Sequence, residues 1–535
     1  MRVSLGLALF VTPLAVPAFG SSAPAVGEGH FVVDLSEPQR FEGNGIARAP
    51  RSLLPVEELD DRRPIRRDNP STITGRRTIE PSMPASVTGF DGIPNLAGVT
   101  PGDPTGAAGD SHVLSAVNVH FELFDLAGVS ELGPSHLKSL FPGVPGGATD
   151  PKVVYDSYTD TFVLSFVAIS GGKERSTLIL VAIPDSTATD TATWCGSRLN
   201  GDQRRRDGRQ FADYPALGLD EERVYLTSNQ FDFGSKQAYR GAQILAFKKS
   251  NLYNCSEPLS FRRFTGKKTQ LPDGRPTFTI QPAVTVGASP DAGYLLSFEW
   301  GCGNVTCSGR ELTVWAVTEG GGSLNLSRKV MSVGRAALAP AGTQQGGSVG
   351  ASNTWWDTGD LRLTTAFYDA DLDRVYGAHA VFRDLDAAGD NYVESVVRWY
   401  EVSPGTPLGS SSVPRKGYIG TGRTDAGWPA VATDGDGNLF ATYSRASAVP
   451  GFAEYLSSYA ATVPPATAAF DGILLLEAGD ARYEYGPGPE RWGDYNSVTR
   501  DPADPSQMWA FNQIPERGGG VTSDFLQVID EITFV

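Results

Sequence analysis

The sequence predicts an all-β protein, a seven-bladed β-propeller of four-stranded antiparallel blades. The first observation is composition: 61 of the 535 residues are Gly and 37 are Pro, which is typical of a chain with many turns. The second is a series of short, alternating apolar runs separated by Gly, Asp, Asn and Pro, a pattern that indicates strands rather than helices. The third is that these runs recur as one hairpin unit.

The repeating unit opens with a polar or aromatic residue, which Pro often follows, and continues as two short strands joined by a turn. The opening residues lie roughly 65 residues apart, with one longer interval. Third and fourth strands, for example at 176–183 and 311–317, complete each unit. Seven such units predict a propeller, and a two-sheet sandwich is the competing fold. The opening residues are Asp150, Tyr214, Gln281, Gln345, Trp428 and Tyr495, preceded by a first copy near 107–118.

The two ends of the chain complete this organisation. Residues 1–23 contain the apolar run 5–19 followed by small residues, which predicts a cleaved secretory signal. Residues 24–85 hold Arg-rich and acidic clusters and scattered prolines without periodicity, so we expect a linker or pro-segment with no specific role. The propeller domain then spans 86–535. Its last strand, 525–535, is expected to pair with 87–90 and close the ring, which removes open sheet edges.

Net charge and cysteine content indicate which partners and which cellular compartment suit the protein. The net charge of −16 argues against nucleic acid, whose phosphates require a basic face. No run after the signal approaches the roughly 20 apolar residues of a spanning helix, so we expect a secreted, soluble monomer without membrane insertion. Four cysteines suit two disulfides. The expected pairs are Cys302 with Cys307 and Cys195 with Cys255; a four-thiolate zinc site fits poorly because no C-x-x-C pair exists.

A propeller concentrates candidate site residues on one face. The loops into the innermost strands and the ends of the second strands meet there around the axis. Carboxylates, arginines, amides and aromatic side chains at these positions are the groups that a sugar site uses. The unit starts supply Asp110, His112, Asp150, Asp213, Tyr214, Trp428, Arg491, Asp494 and Tyr495, and the second-strand ends supply Asn229, Glu299, Trp300, Arg445 and Asn512.

Two carboxyl groups, one with a raised pKa, are what most glycosidases need. The predicted catalytic pair is Glu299 with Asp213 or Asp494, and a tyrosine nucleophile, Tyr214 or Tyr495, is a further option. The alternative is structural: aspartates that open each unit would cap a turn by accepting backbone N–H groups. The predicted substrate-binding residues are Arg491, Tyr495, Tyr214, Trp300, Arg445, Trp428 and Asn229.

Other motifs are weaker. Residues 434–438, Asp-Gly-Asp-Gly-Asn, have the oxygen-rich spacing of a calcium loop, but an ordinary hairpin turn is favoured. Gly109-Asp-Ser-His112 lacks the G-x-S-x-G elbow of serine hydrolases. The five histidines show no H-E-x-x-H spacing, which argues against catalytic zinc. We therefore expect no cofactor, with calcium the one left open.

Four motifs carry a resemblance to a known family. They are Phe90-Asp-Gly92 with Asn95, the D-P-x-V-x-Y-D unit at 150–156, Asp-Tyr-Pro at 213–215 and Arg-Trp-Gly-Asp-Tyr at 491–495. Over about residues 88–535 the chain resembles secreted bacterial seven-bladed propellers that are distantly similar to the sialidase and glycosidase propellers. The resemblance implies the fold and an axial site. The S-x-D-x-G-x-T-W box of sialidases is missing, since its nearest match, 289–293, lacks the Thr and Trp.

Three functions are compatible with these observations. The leading hypothesis is a secreted carbohydrate-active enzyme, a glycoside hydrolase or polysaccharide lyase that acts on a polysaccharide or glycan from the axial pocket. The second is a non-catalytic extracellular propeller that binds glycans or protein partners. The third is a propeller whose axis is plugged and whose function lies on its rim. Whether the chain is an enzyme stays open at this stage, as do the substrate and the removal of residues 24–85.

Overall fold

The computed structural model describes residues 28–33, 35, 85–141, 146–170, 175–205, 208–233, 238–288, 291–299, 308–347, 355–385, 393–486 and 489–534. Nearly all regular structure in these ranges is strand. The helical elements are short: an α-helical turn at Lys249–Leu252 and 3-10 turns at Leu137–Leu140, Asp185–Thr187, Thr191–Thr193, Gly266–Thr269 and Leu408–Ser410. None of the described helices has the length and apolar character needed to span a membrane.

The strands are numbered in chain order. They are β1 (Gly29–Val32), β2 (Ala85–Pro94), β3 (Thr105–Ala108), β4 (His112–Val117), β5 (His120–Asp125), β6 (Ser130–His136), β7 (Gly147–Asp156), β8 (Thr161–Ser170), β9 (Arg175–Pro184), β10 (Cys195–Asn200), β11 (Gln203–Arg205), β12 (Gly208–Leu219), β13 (Arg223–Asp232), β14 (Tyr239–Lys248), β15 (Phe261–Phe264), β16 (Gln281–Pro282), β17 (Val284–Val286), β18 (Gly293–Phe298), β19 (Ser308–Gly320), β20 (Ser323–Ala337), β21 (Gly342–Thr343), β22 (Trp355–Trp356), β23 (Thr365–Asp369), β24 (Arg374–Arg383), β25 (Glu394–Ser403), β26 (Ser412–Ile419), β27 (Asp425–Thr433), β28 (Leu439–Ser447), β29 (Glu454–Val463), β30 (Gly472–Glu477), β31 (Ala481–Tyr483), β32 (Ser497–Arg500), β33 (Gln507–Pro515), β34 (Gly520–Thr522) and β35 (Phe525–Phe534).

These strands form successive antiparallel sheets in which chain neighbours are also neighbours in space. Such a series of four-stranded hairpin sheets confirms the predicted all-β propeller, because each sheet buries both faces only by packing on the sheets before and after it. Strand β17 adds short parallel contacts to β12 and β23. The sheets run β3-β4-β5-β6, β7-β8-β9-β10, β12-β13-β14-β15, β16-β18-β19-β20, β23-β24-β25-β26, β27-β28-β29-β30 and β32-β33-β35-β2.

The last sheet closes the ring as expected. The C-terminal strand β35 lies between β33 and the N-terminal strand of the domain, β2, with Val87 opposite Ile532 and Phe90 opposite Ile529. The first and last strands of the propeller are therefore neighbours in one sheet, and β35 is hydrogen-bonded on both of its sides.

The core lies between neighbouring sheets. One buried cluster joins Leu114 and Phe121 of the first sheet to Val153 and Phe162 of the second. A further cluster joins the second sheet to the third. Strand β8 is buried along eight of its ten residues, which is typical of strands covered on both faces.

The pairing of Cys195 with Cys255 is confirmed, because the two residues form a disulfide. Cys302 and Cys307 lie outside the described residues, as does Trp300. The predicted linker differs from expectation at one place: Gly29–Val32, inside residues 24–85, forms strand β1 and pairs with β10.

Candidate functional site

Residues in or just before the inner strands share an unusual backbone, and three of them lie at register shifts inside β7, β12 and β27. Several of them have a positive φ, which is uncommon for residues other than Gly. Four of them also precede Pro, where an extended backbone is normally preferred. Such conformations cost of order 1–3 kcal/mol each and persist only where the surrounding structure imposes them. They are Asp103 (φ 51°), Asp150 (φ 54°), Tyr214 (φ 51°), Thr279 (φ 49°), Leu361 (φ 70°) and Trp428 (φ 53°).

Hydrogen bonds between neighbouring blades hold these starts in place. The Asn118 side-chain oxygen accepts from the Asp150 amide at 2.8 Å, and Asn229 accepts in the same way from the Thr279 amide at 3.0 Å. Asp150 in turn accepts from the Tyr214 amide at 3.2 Å. Asn229, which was predicted to bind substrate, therefore links two neighbouring blades through its side chain. Asn118, which the sequence did not single out, does the same.

Charged side chains from these starts converge in one buried group, which we call the axial cluster. All of its carboxyl groups are nearly inaccessible, with exposures of 1–6%. Their proximity shows in mutual electrostatic effects: Asp103 is influenced by Asp494 and Asp150, and Asp213 by Asp150 and Asp494. The axial cluster consists of Asp103, Asp150, Asp213, Asp494, Lys152, Arg362 and Arg491.

Asp494 contacts two other members of the axial cluster. Its carboxylate forms an ion pair with Arg491 at 2.8 Å, and its amide donates to Asp103 at 2.7 Å. Asn118 donates to the other Asp103 oxygen, also at 2.7 Å. The Arg491 side chain remains 18% exposed, against 5% for Asp494, so the arginine is the more accessible of the two.

Burial shifts the protonation of this group. The pKa of Asp103 and that of Asp213 lie well above the ordinary range, first because of desolvation and then because of neighbouring carboxylates. Desolvation, followed by Asp494, also raises the pKa of Asp150. Burial and neighbouring like charges both disfavour the ionised form of a carboxyl group, so they act in the same direction on Asp103, Asp150 and Asp213.

Lys152 responds in the opposite direction. Burial lowers the pKa of its ammonium group to about 7, although Asp103, Asp150 and Asp494 oppose the shift. The Nζ atom lies 2.9 Å from the centre of the Tyr495 ring. An amine that is partly neutral at pH 7 can exchange protons with the carboxyl groups beside it.

The aromatic residues predicted as sugar platforms are interior. Tyr214, Tyr495 and Trp428 are 0–2% exposed. The Tyr495 hydroxyl donates to the carbonyl of Pro151 at 2.7 Å, and the Trp428 indole donates to the carbonyl of Asp357 at 2.6 Å. The structure therefore brings these rings to the axis, where their polar atoms are used to hold the blades.

Glu299 lies apart, in what we call the Arg275 cluster (Asp273, Arg275, Glu299 and Glu311). Its carboxylate pairs with Arg275 at 2.6 Å and accepts from the Arg310 amide at 2.8 Å. Arg275 also contacts Asp273 at 2.6 Å and Glu311 at 3.3 Å. The structure thus joins Glu299 to surface charges rather than to Asp213 or Asp494.

Arg445 is likewise engaged elsewhere. Its guanidinium pairs with Glu454 at 2.6 Å and lies 3.7 Å from the centre of the Tyr459 ring. Arg445, Glu299 and Asn229 all lie near the ends of second strands, yet their side chains contact different partners. The role of Arg445 in substrate binding stays a prediction.

Sequence inspection missed part of the axial cluster. Asp103 precedes Pro104 as Asp150 precedes Pro151, so the repeated pair could have identified it. Arg362 had no such signal; it stacks 4.2 Å from the centre of the Tyr214 ring and pairs with Asp360. The prediction that Gln345 opens the fifth unit was wrong. Leu361 has the positive φ of the other openings and precedes β23. Gln344, next to Gln345, instead forms hydrogen bonds with the backbone of Tyr483.

The described residues hold one group of side chains close enough together to share a metal ion. Among them, the only group of three or more His, Cys or carboxylate ligand atoms within 4.8 Å is His30, Cys195 and Cys255, whose sulfur atoms are joined in the disulfide. In the turn at 434–438, the Asp434 carboxylate accepts from the amides of Asp436 and Asn438 at 3.0 and 2.8 Å. This is the arrangement of the favoured hairpin turn.

Comparisons with known proteins give remote structural likenesses. No protein-family model matches the chain, and no curated protein sequence matches it. A protein of unknown function from Dyadobacter fermentans is similar in structure, with a TM-score of 0.36 and 12% identity over 72% of this chain and 95% of that one.

Two glycan-directed enzymes are similar to the same degree. An α-L-arabinofuranosidase from Fusarium graminearum has a TM-score of 0.36 and 10% identity, covering 85% of this chain and 98% of its own. An α-L-arabinanase from Penicillium chrysogenum, solved with arabinobiose, has a TM-score of 0.32 and 11% identity, covering 84% and 98%. At these scores the likenesses transfer neither substrate nor activity to this chain.

Proposed function

We propose that this protein is an exported carbohydrate-active enzyme, a glycoside hydrolase or polysaccharide lyase, that works from the axial cluster. Asp213 is the proton donor, and Asp494 is the carboxylate that acts as base or nucleophile. Arg491, the most accessible charge of the axial cluster, orients the substrate. The polymer on which it acts is a polysaccharide or glycan.

One observation carries the proposal: carboxyl groups from different blades share a single buried site, in which one of them is paired with an arginine. Asp213 has a raised pKa because it is desolvated, and so it can hold a proton for a leaving oxygen. Asp494 forms an ion pair with Arg491 at 2.8 Å, which places a cation beside this second carboxyl group. A carboxyl group with a raised pKa beside a second carboxyl group is the pair of residues that glycoside hydrolysis requires.

We also infer that the ring contains seven blades. The support is the set of inner strands that follow the starts: β3, β7, β12, β16 with β17, β23, β27 and β32. Export is supported by the apolar run at 5–19 and by the disulfide, a bond typical of oxidising compartments.

The test is turnover by the purified protein on a polysaccharide panel that includes arabinans, pectins, xylans and uronate polymers. New reducing ends alone indicate hydrolysis, and reducing ends together with ultraviolet absorbance of an unsaturated uronate indicate elimination. Replacing Asp213 with Asn should lower kcat by about 10²–10⁴-fold, the usual contribution of a general acid. Asp494→Asn should be similarly impaired.

Glu299→Gln is the matched comparison, because Glu299 was the predicted catalytic partner but lies in the Arg275 cluster. Full activity of this variant, with loss in Asp213→Asn, would assign catalysis to the axial cluster. Loss in Glu299→Gln with full activity in Asp213→Asn would reverse the assignment.

A second function, binding of a glycan or protein without catalysis, is favoured by one observation. The aromatic rings around the axis are almost completely buried, as expected of an axis filled by side chains. Binding to immobilised glycans, retained in Asp213→Asn and without any turnover across the panel, would support this alternative.

A further inference from the structure

We propose that residues 28–33 are a built-in strand ligand: they occupy a peptide groove between two blades and stay bound to the propeller when the chain between residues 36 and 84 is cut. The proposal is independent of the axial chemistry. It assigns a binding function to a segment that the sequence suggested was only a linker.

One wall of the groove is the outer edge of a sheet. Strand β1 adds to β10 in antiparallel register, with Phe31 opposite Gly196 and Val32 opposite Cys195. The His30 ring nitrogen lies 2.8 Å from the Ser197 hydroxyl. Strand addition at a sheet edge is a common mode of peptide recognition, because backbone hydrogen bonds supply affinity and alternate side-chain pockets supply specificity.

The second wall comes from the next blade. The Cys255 sulfur lies 3.4 Å from the carbonyl of Phe31, and Arg263 of β15 pairs with Glu28 at 3.3 Å. The disulfide between Cys195 and Cys255 joins the two walls directly. The strand is therefore enclosed between two blades rather than laid on an open edge.

The side chains alternate as a specific strand should. Val33 is 2% exposed and belongs to the core cluster that contains Trp194, against which Phe31 also packs. Val32, between them, is 62% exposed. The segment thus contributes apolar side chains to the core from one face only.

Gly196 makes room for Phe31. A Cβ atom added at Gly196 would collide with the Phe31 ring, whereas a Cβ added at Gly29 would meet nothing within 4 Å. Neither glycine has a positive φ, so each accepts Ala without backbone strain. The groove is therefore shaped for an aromatic residue at this one position.

The predicted signal cleavage after residue 23 would leave this strand at the start of the mature chain. A covalent link between a ligand and its receptor raises the effective concentration of the ligand near its groove. Because the strand pairs with β10 and its side chains pack on the core, we expect it to stay bound without this link as well.

The experiment uses the full mature chain with a recognition sequence for a specific protease inserted between residues 36 and 84. After cleavage, non-reducing size-exclusion chromatography and mass spectrometry show whether the N-terminal fragment elutes with the propeller. We expect at least nine-tenths of it to remain bound, on the order of a tenfold excess of bound over free. Release of the fragment from the otherwise unchanged sequence would overturn the proposal.

Matched variants test the groove itself. Gly196→Ala and Phe31→Ala should each release most of the fragment after cleavage, while Gly29→Ala and Val32→Ala should retain it. Far-ultraviolet circular dichroism of each uncut variant confirms the fold. Equal retention in all four variants would show that the groove does not hold Phe31, and would contradict the assigned site.

A labelled peptide of residues 24–35 gives an independent readout. Added to Phe31→Ala protein that has been cut and stripped of its own fragment, it should raise fluorescence anisotropy, and it should fail to do so with the Gly196→Ala protein. Binding to both proteins alike would overturn the assigned groove.

Discussion

The axial cluster and the Arg275 cluster contain the same kinds of side chains in opposite environments. In the Arg275 cluster, three carboxylates surround one arginine whose side chain is 44% exposed. In the axial cluster, Arg362 is 3% exposed and Asp213 is 2% exposed. The arginine of the first group is open to water, whereas the carboxyl groups of the second are almost completely buried.

The difference shows why residue type alone does not locate chemistry. Surface ion pairs contribute little because solvent competes for each charge. Buried charges are costly unless they are paired, and they change protonation to avoid that cost. Raised and lowered pKa values therefore gather in the axial cluster, and such shifts are a recognised mark of functional sites.

The largest effect should come from removing a buried cation. Arg362→Met removes the cation that pairs with Asp360 in a buried ion pair. Breaking such a pair from one side costs about 3–5 kcal/mol. Urea unfolding of the variant should show a loss of this size in the free energy of unfolding at pH 7.

The double variant Arg362→Met/Asp360→Leu serves as the control. Because it removes both charges, it should recover much of the loss. A single variant as stable as the unchanged protein would mean that the axial cluster is hydrated, and the contrast with the Arg275 cluster would then fail.

Lys152 should make stability rise with pH. Its folded-state pKa of about 7 lies below the unfolded value of about 10.4, so between these values the unfolded chain binds the extra proton. Stability of the unchanged protein relative to Lys152→Met should therefore increase above pH 7, by up to about 1.4 kcal/mol per pH unit. Chemical denaturation of both proteins between pH 7 and pH 9 measures the difference; parallel curves would refute it.

Asp213 should act with the opposite sign. Its pKa is raised in the folded state, so above the unfolded value of about 3.9 the folded protein holds a proton that the unfolded chain has lost. Stability relative to Asp213→Asn should therefore fall as pH rises from about 4 until the folded-state pKa is passed. The same denaturation series, extended to acid pH, tests this, and a difference that grows with pH would contradict the sign.

Much of the fold was predictable because it rests on local repetition. Asp150, Tyr214 and Trp428 begin equivalent units, and the sequence shows each of them just before Pro. The ring closure by β2 and β35 followed from the same repeats. The opening of the unit after the longer interval was not predicted, because Leu361 is neither polar nor followed by Pro.

The site was only half predictable. Asp213, Tyr214, Arg491, Asp494 and Tyr495 do meet at the axis, since the repeat places them there. At the second-strand ends, each charged side chain finds a partner that the repeat does not predict: Glu299 pairs with Arg275, in the segment between β15 and β16, and Arg445 pairs with Glu454, the first residue of β29. Glu299 and Arg445 were therefore grouped with the axis although they pair elsewhere.

The smallest effect is expected in the Arg275 cluster. Arg275→Met removes the common partner of Asp273, Glu299 and Glu311, but water can solvate those carboxylates at once. The free energy of unfolding should change by less than about 1 kcal/mol, and the change should shrink further at 1 M salt, where the Debye length is only about 3 Å. A loss as large as that of Arg362→Met would show that the Arg275 cluster is as dry as the axis, and Glu299 would regain its place beside Asp213 as a catalytic candidate.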